Sequence, residues 1–108
     1  HAAELYQRLT DDWGRASAQL GLGKTLLKEA EYDASEKNLQ LSLELFSSIN
    51  DKLGQAHANK ELGHVSYERN KTNDAKKYYE TALGLYKVMN EFKEVELVNS
   101  KLNSLQTS

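Results

Sequence analysis

The stretch ELGHVSYERNKTNDAKKYYETALGLY, residues 61–86, decides the fold. A polar segment, residues 70–74, separates two halves whose apolar and small residues recur at three- and four-residue steps, as on one face of a helix. The stretch therefore predicts a helix, a tight turn and a second helix. Small residues such as Gly63, Ala75 and Ala82 are expected where the two helices approach each other closely.

The chain repeats itself with a period of 40 residues. Leu22-Gly23 aligns with Leu62-Gly63, and LELF at residues 43–46 aligns with LGLY at residues 83–86. Periods of about 20–50 residues are typical of solenoids, in which each unit buries its apolar face only against its neighbours. The period alone also fits HEAT or armadillo units, so the local residue pattern has to decide the family.

Composition excludes several classes of function. The 108 residues suffice for one domain, and the net charge of −2 gives no reason to expect binding to nucleic acid or to an anionic membrane. The chain has no cysteine, no long apolar run and no signal-peptide pattern, so we expect a cytoplasmic protein without a transmembrane helix. The absence of proline and the abundance of helix-forming residues predict an all-α fold.

Polar breaks divide the chain into helices. We expect residues 1–9 to be the second half of a helix, followed by a break at Thr10-Asp11-Asp12 and a long helix ending near Lys28. After a turn at residues 29–33, the pattern predicts further helices at residues 34–48, 52–69, 75–89 and 91–105. Asn50-Asp51, residues 70–74 and Asn90 are the predicted breaks between them.

The local pattern resembles the tetratricopeptide repeat (TPR) family. The first helix of a TPR repeat is represented by Leu22-Gly23 with Leu26-Leu27, and again by Leu62-Gly63 with Tyr67. Its second helix is represented by two sets, Tyr32, Ser35, Leu39, Ser42 and Leu43, and Ala75, Tyr79, Ala82 and Leu83. Serines replace the usual alanines at positions 35 and 42, and the usual trailing proline is missing. The repeats are about six residues longer than the common 34, and resemble those of kinesin light chains, Pins/LGN-like adaptors and Rap-type regulators.

The resemblance implies an α-α superhelix of antiparallel helix pairs in a single domain, residues 1–108. It implies full repeats at residues 16–55 and 56–95, a half repeat with its turn at residues 1–15, and a capping helix at residues 91–108. It also implies that the first helix of each pair lines a concave groove. The groove candidates are Ser17, Leu20, Lys24, Leu27, Lys28, His57, Lys60, His64, Tyr67, Glu68 and Lys101, with Leu97 and Ser100 beside them.

The sequence argues against three more specific functions for the candidate residues. Clamping of chaperone C-terminal tails needs a Lys/Asn pattern, and here Leu20 and Lys24 stand at the first pair of positions. AQLGLGKT, residues 18–25, nearly matches a P-loop, but it lies inside a predicted helix, whose amides are already bonded. His57, Glu61 and His64 share one helical face, as zinc ligands could, but no fourth ligand is evident.

Three functions stay open. The leading hypothesis is a non-enzymatic interaction module that binds a peptide or partner helix in the groove, with no cofactor and no metal. The second is a regulatory, peptide-sensing segment of a larger signalling protein. The third is a self-associating scaffold that pairs through an apolar face around Leu5, Leu9 and Trp13. No catalytic constellation is visible, so the sequence does not predict an enzyme.

Overall fold

The computed structural model describes residues 2–106 and folds them into five α-helices. These are α1 (Ala2–Lys28), α2 (Tyr32–Ser48), α3 (Lys52–Glu68), α4 (Thr72–Val88) and α5 (Phe92–Gln106). Each helix packs against the next in the chain, so the predicted all-α superhelix is confirmed. His1, Thr107 and Ser108, which the sequence assigns to the first half repeat and to the capping segment, lie outside the described residues.

Four turns of the same geometry join the helices. In each turn one residue has a positive φ, between 57° and 60°. These residues, spaced 20 apart, are Ala30, Asn50, Asn70 and Asn90. At the second turn the Asn50 amide donates to the Ser47 carbonyl (3.1 Å) and the Asp51 amide to the Phe46 carbonyl (2.9 Å). This pair of bonds is the Schellman motif, which satisfies the last carbonyls of a helix, and it recurs at the other three turns.

Ala30 is the one alanine at a position where the other three turns have asparagine. A Cβ in the left-handed region costs roughly 1–2 kcal/mol, which glycine avoids and asparagine partly offsets. We expect Ala30→Gly to stabilise the domain by about 0.5–1 kcal/mol, raising the thermal midpoint by roughly 3 °C. Thermal unfolding followed by circular dichroism measures this. Asn50→Ala is the control and should lower the midpoint, whereas a lower midpoint in Ala30→Gly would contradict the argument.

The break predicted at Thr10-Asp11-Asp12 is wrong, because α1 runs through it without interruption. The 40-residue register places Thr10 where Asn50 and Asn90 adopt positive φ. A β-branched residue is disfavoured in that conformation. Instead, the Thr10 hydroxyl donates to the Tyr6 carbonyl one turn earlier (2.9 Å), and the helix continues.

The turn predicted over residues 70–74 is too long. α4 already begins at Thr72, so the connection after α3 has three residues, like the others. Thr72, Asn73 and Asp74 form the first turn of α4. Short polar side chains are favoured at the start of a helix, and the charge of Asp74 suits the positive end of the helix dipole.

The helices form two layers, with α1, α3 and α5 inside and α2 and α4 outside. α3 lies between α2 and α4 and contacts both, which explains why it contains nine buried residues. Large side chains from the outer helices fill the space beside glycines of the inner helices. The pairs are Leu39 beside Gly23, Phe46 beside Gly54, and Tyr79 beside Gly63. The inner and outer layers can approach this closely only because these three positions carry no Cβ.

Two buried serines link α2 to α1. The Ser35 hydroxyl donates to the Gly23 carbonyl (2.6 Å), and the Ser42 hydroxyl donates to the Ala16 carbonyl (2.8 Å). Sequence reasoning treats these serines only as small residues that let helices come close. In the structure they also satisfy backbone acceptors across the helix pair.

Candidate functional site

A cleft of about 460 Å³ lies on the inner layer, near the last turns of α1 and α3. Six of the predicted groove residues line it, namely Leu27, Lys28, His64, Tyr67, Glu68 and Lys101. Leu97 of α5, Tyr32 of α2 and Ala30 of the first turn complete its walls. The assignment of a ligand to this cleft stays a prediction, but residues that are far apart in sequence converge here on one concave surface.

The cleft combines cationic and apolar surface. The Lys101 ammonium lies 5.5 Å from the centre of the Tyr67 ring, within reach of a cation–π interaction. Lys28 of α1 is exposed at the cleft, whereas Leu27 is half-buried there. Leu97 is 44% exposed and adds apolar surface from α5. The surface can therefore contact an apolar side chain and a carboxylate of the same ligand.

The other five predicted groove residues lie outside the cleft. They are Ser17, Leu20, Lys24, His57 and Lys60. Leu20 packs against the core cluster around Leu39, and Ser17 is half-buried. Lys24 is exposed, and its charge contributes to lowering the pKa of both His57 and His64 on α3. Lys24 is therefore close to the inner face of α3, although it does not line the cleft.

Two histidines of α3 pair with two tyrosines of α4. His57 Nδ1 lies 2.5 Å from the Tyr86 hydroxyl, and His64 Nδ1 lies 2.6 Å from the Tyr79 hydroxyl. Within residues 2–106 the Tyr79 hydroxyl has no other hydrogen-bond partner. We therefore assign this hydroxyl as the donor to an unprotonated Nδ1, which places the His64 ring proton on Nε2. Nε2–H is then a fixed donor on the opposite edge of a ring that lines the cleft.

Burial keeps these histidines neutral. Burial, together with the charges of Lys101 and Lys60, lowers the pKa of His64 to about 4. Burial and the nearby Lys60 also lower the pKa of His57. Burial raises the pKa of both tyrosine partners, so their hydroxyl groups keep their protons at neutral pH. The His64–Tyr79 contact is therefore a hydrogen bond between two neutral groups.

Lys60 connects α3 to α5 rather than lining the cleft. Its ammonium lies 2.9 Å from Glu94 Oε2 and 4.0 Å from Glu61 Oε2. Burial alone would raise the pKa of Glu94, but the hydrogen bond from Lys60 lowers it overall. Burial raises the pKa of Glu61, which Lys60 only partly counteracts. Lys60 already has an acidic partner, so we do not count it among the ligand-binding groups.

Sequence reasoning missed Tyr79 and Tyr86 as partners of the histidines. A usable signal was present, because both the histidines and the tyrosines are seven residues apart. Residues seven apart share a helix face. Because α3 and α4 are antiparallel, the first histidine lies opposite the second tyrosine, and the second histidine lies opposite the first tyrosine. Glu94 carried no comparable signal, since its pairing with Lys60 depends on how α5 packs.

The geometry does not support a zinc site at His57, Glu61 and His64, or a nucleotide-binding loop at residues 18–25. His57 and His64 each point Nδ1 at a tyrosine, and Glu61 lies beside Lys60. Over residues 2–106, no three His, Asp or Glu side chains gather in a metal-binding arrangement. The P-loop-like residues 18–25 lie inside α1, with Gly23 against Leu39, and so form no phosphate-binding loop.

Helices joined by turns at a 20-residue interval, packed in two layers with a concave inner face, define an α-helical solenoid. Residues 14–87 match the family model of the tetratricopeptide repeat. Because this match covers more than half of the chain, the chain belongs to the tetratricopeptide repeat family. Comparisons with curated proteins and with solved structures gave no match.

The tetratricopeptide repeat family is in general a family of protein–protein interaction modules, and its repeats are typically non-catalytic. Within the described part of the chain, none of the helices has the length and apolar character needed to cross a membrane.

Proposed function

We propose that this chain is a non-catalytic interaction module that binds an acidic peptide, or the acidic face of a partner helix, in the inner cleft. One observation carries the proposal. Lys28 of α1 and Lys101 of α5 line the same cleft, with Tyr67 and His64 of α3 among its other walls. A ligand lying across the three inner helices would meet an ammonium group from each of the two flanking helices.

The chemistry of the cleft favours carboxylates over neutral ligands. Ammonium groups donate charge-assisted hydrogen bonds to carboxylates, and these are stronger than neutral ones. The Nε2–H of His64 adds a neutral donor whose orientation is fixed by Tyr79. Glu68 also lines the cleft, and its charge disfavours ligands with carboxylates at that edge. Peptides with acidic residues near Lys28 and Lys101 and an apolar residue against Leu97 fit this pattern best.

The variant Lys28→Ala/Tyr67→Ala/Lys101→Ala tests the proposal. It leaves His64 and Lys60 unchanged, because these residues support Tyr79 and Glu94. Wild-type protein should select acidic sequences from a random linear peptide library. The variant should bind the selected peptides at least about tenfold more weakly, since each lost contact contributes roughly 0.5–1 kcal/mol. Fluorescence anisotropy with a labelled selected peptide measures both affinities.

The matched control is Lys37→Ala/Lys76→Ala/Phe92→Ala. It removes two lysines and one aromatic ring from exposed positions outside the cleft. Its affinity for the same peptides should equal that of the wild type. Selection of peptides without acidic residues, or equal binding by the cleft variant, would refute the proposal.

A further inference from the structure

The first part of α1 exposes an apolar stripe. Its members are Leu5 (56% exposed), Tyr6 (74%), Leu9 (43%) and Trp13 (53%). A second face of α1, formed by Gly14, Ala18 and Leu22, is also exposed. Beside it lies an open cleft of about 830 Å³ that is lined only by α1 residues. Ile49 and Asp51 of the second turn lie beside the stripe, and Trp13 Nε1 donates to Asp51 Oδ2 (3.1 Å). Among the described residues, however, no helix covers either surface of α1.

The repeat shows what covers such a face. Forty residues later, Gly54, Ala58 and Leu62 of α3 are all buried. The Phe46 ring of α2 fills the space beside Gly54 so closely that a Cβ there would overlap it. By the same shift, Gly14 is the counterpart of Gly54 and Tyr6 is the counterpart of Phe46.

The same pairing occurs at a second turn. There Tyr86 of α4 occupies the place of Phe46, and Glu94 of α5 occupies the place of Gly54. The Tyr86 hydroxyl and the Glu94 carboxylate are near enough that each shifts the pKa of the other, so these two positions lie close together. In both cases the contacting residues lie four positions before and four positions after the residue with positive φ, Asn50 or Asn90.

Within one straight α1, Tyr6 and Gly14 cannot meet. They lie eight residues apart on a continuous helix, which separates their Cα atoms by about 12 Å along the axis. A Cβ added at Gly14 accordingly meets nothing within 4 Å. The aromatic ring and the space that fits it are therefore both present, but they face different directions.

We propose that two copies of this chain pair their α1 helices antiparallel about Thr10, so that Tyr6 of each copy packs on Gly14 of the other. This pairing recreates between chains the contact that Phe46 makes with Gly54 within one chain, as in domain swapping through a straightened hinge. After Thr10, each α1 runs toward the helices of its own copy and away from those of the other copy. The remaining helices of the two copies therefore lie at opposite ends of the paired α1 helices.

Helix geometry supports this register. At about 100° per residue, Tyr6 and Gly14 lie about 40° on either side of Thr10 around α1, so both can face a partner helix that crosses at Thr10. Trp13 lies about 60° from Thr10 on the side of Tyr6, and its exposed ring flanks the same seam. A register shifted by one turn would lose the fit of Tyr6 to Gly14.

Sedimentation velocity on the 108-residue chain tests the proposal. At a chain concentration of about 100 μM, the mass should approach twice the 12.2 kDa of one chain. Gly14→Ala should raise the dimer dissociation constant at least about tenfold, because the new Cβ occupies the place of the Tyr6 ring. Gly21→Ala is the control and should leave it unchanged, although a Cβ there also meets nothing within 4 Å.

A crosslink tests the geometry independently. The chain has no cysteine, so Thr10→Cys introduces a single thiol near the two-fold axis, and mild oxidation should join two chains through it. Thr10→Asn, which permits the turn seen at Asn50, should instead favour the monomer by letting residues 2–9 fold back onto the same chain. A chain that stays monomeric at 100 μM, or a Thr10→Cys variant that does not crosslink, would overturn the proposal.

Discussion

Gly54→Ala should destabilise the domain by about 3 kcal/mol, a large part of the stability of a protein this size. The new Cβ would overlap the ring of Phe46, which is only 2% exposed and has no space to move into. Gly54 also lies in the first turn of α3, where its amide donates to Asp51 Oδ1 (3.0 Å). A shift of the backbone to relieve the overlap would therefore weaken the helix cap as well. Urea unfolding at pH 7 measures the effect.

Gly84→Ala is the matched control. Gly84 lies within α4, it is exposed, and a Cβ there meets nothing within 4 Å. The greater helix propensity of alanine should stabilise this variant by up to about 1 kcal/mol. Opposite signs for the two substitutions would show that packing between layers, and not helix propensity, requires Gly54. A stabilised Gly54→Ala would contradict the packing described here.

Acidification from pH 7 to pH 5 should cost the domain about 2 kcal/mol through His64 alone. The pKa of His64 is about 4 in the folded protein and 6.5 as the ordinary value. Between these values the unfolded state binds more protons than the folded state. The contribution of His64 to the free energy of unfolding is therefore fully present above pH 6.5 and is lost as the pH falls toward 4. The raised pKa of Glu61 acts in the opposite direction as its carboxyl group becomes protonated.

Comparison with His64→Gln isolates the contribution of this histidine. Glutamine does not titrate, but its side-chain oxygen can accept the hydrogen bond from Tyr79. Urea unfolding at pH 7 and pH 5 should show that the wild type loses about 2 kcal/mol more than this variant. Nuclear magnetic resonance should show the His64 ring protonated on Nε2 and titrating near pH 4. Titration near 6.5 would contradict both the burial of His64 and its pairing with Tyr79.

Most of the fold could be predicted from the sequence, because the signals involved are local. The 40-residue period, the small residues at positions such as Gly23 and Gly63, and the asparagines at three turns each specify a conformation with little help from distant contacts. Thr10 shows the limit of such reasoning. It stands among polar residues that resemble a break, but whether the helix ends there depends on the φ that residue 10 can adopt and on what packs beside it.

The candidate site could be predicted less completely. The resemblance to TPR repeats assigned a groove to the first helix of each pair, so Leu27, Lys28 and Tyr67 were among the predicted residues. It did not distinguish a side chain that lines the cleft from one bonded to a neighbouring helix. Lys60 and His57 lie on the predicted face, but Glu94 and Tyr86 hold them. Only the relative position of the helices reveals those contacts.

The 20-residue interval between the turns has a consequence for how such a chain can evolve. One residue inserted into α3 would rotate the following side chains by about 100° around the helix axis. His64 and Tyr67 would then leave the cleft, and Gly63 would no longer face Tyr79. Insertions and deletions within helices are therefore expected to be selected against. New binding specificities would instead arise by substitution at exposed positions such as Lys28 and Glu68, while the spacing of the scaffold stays constant.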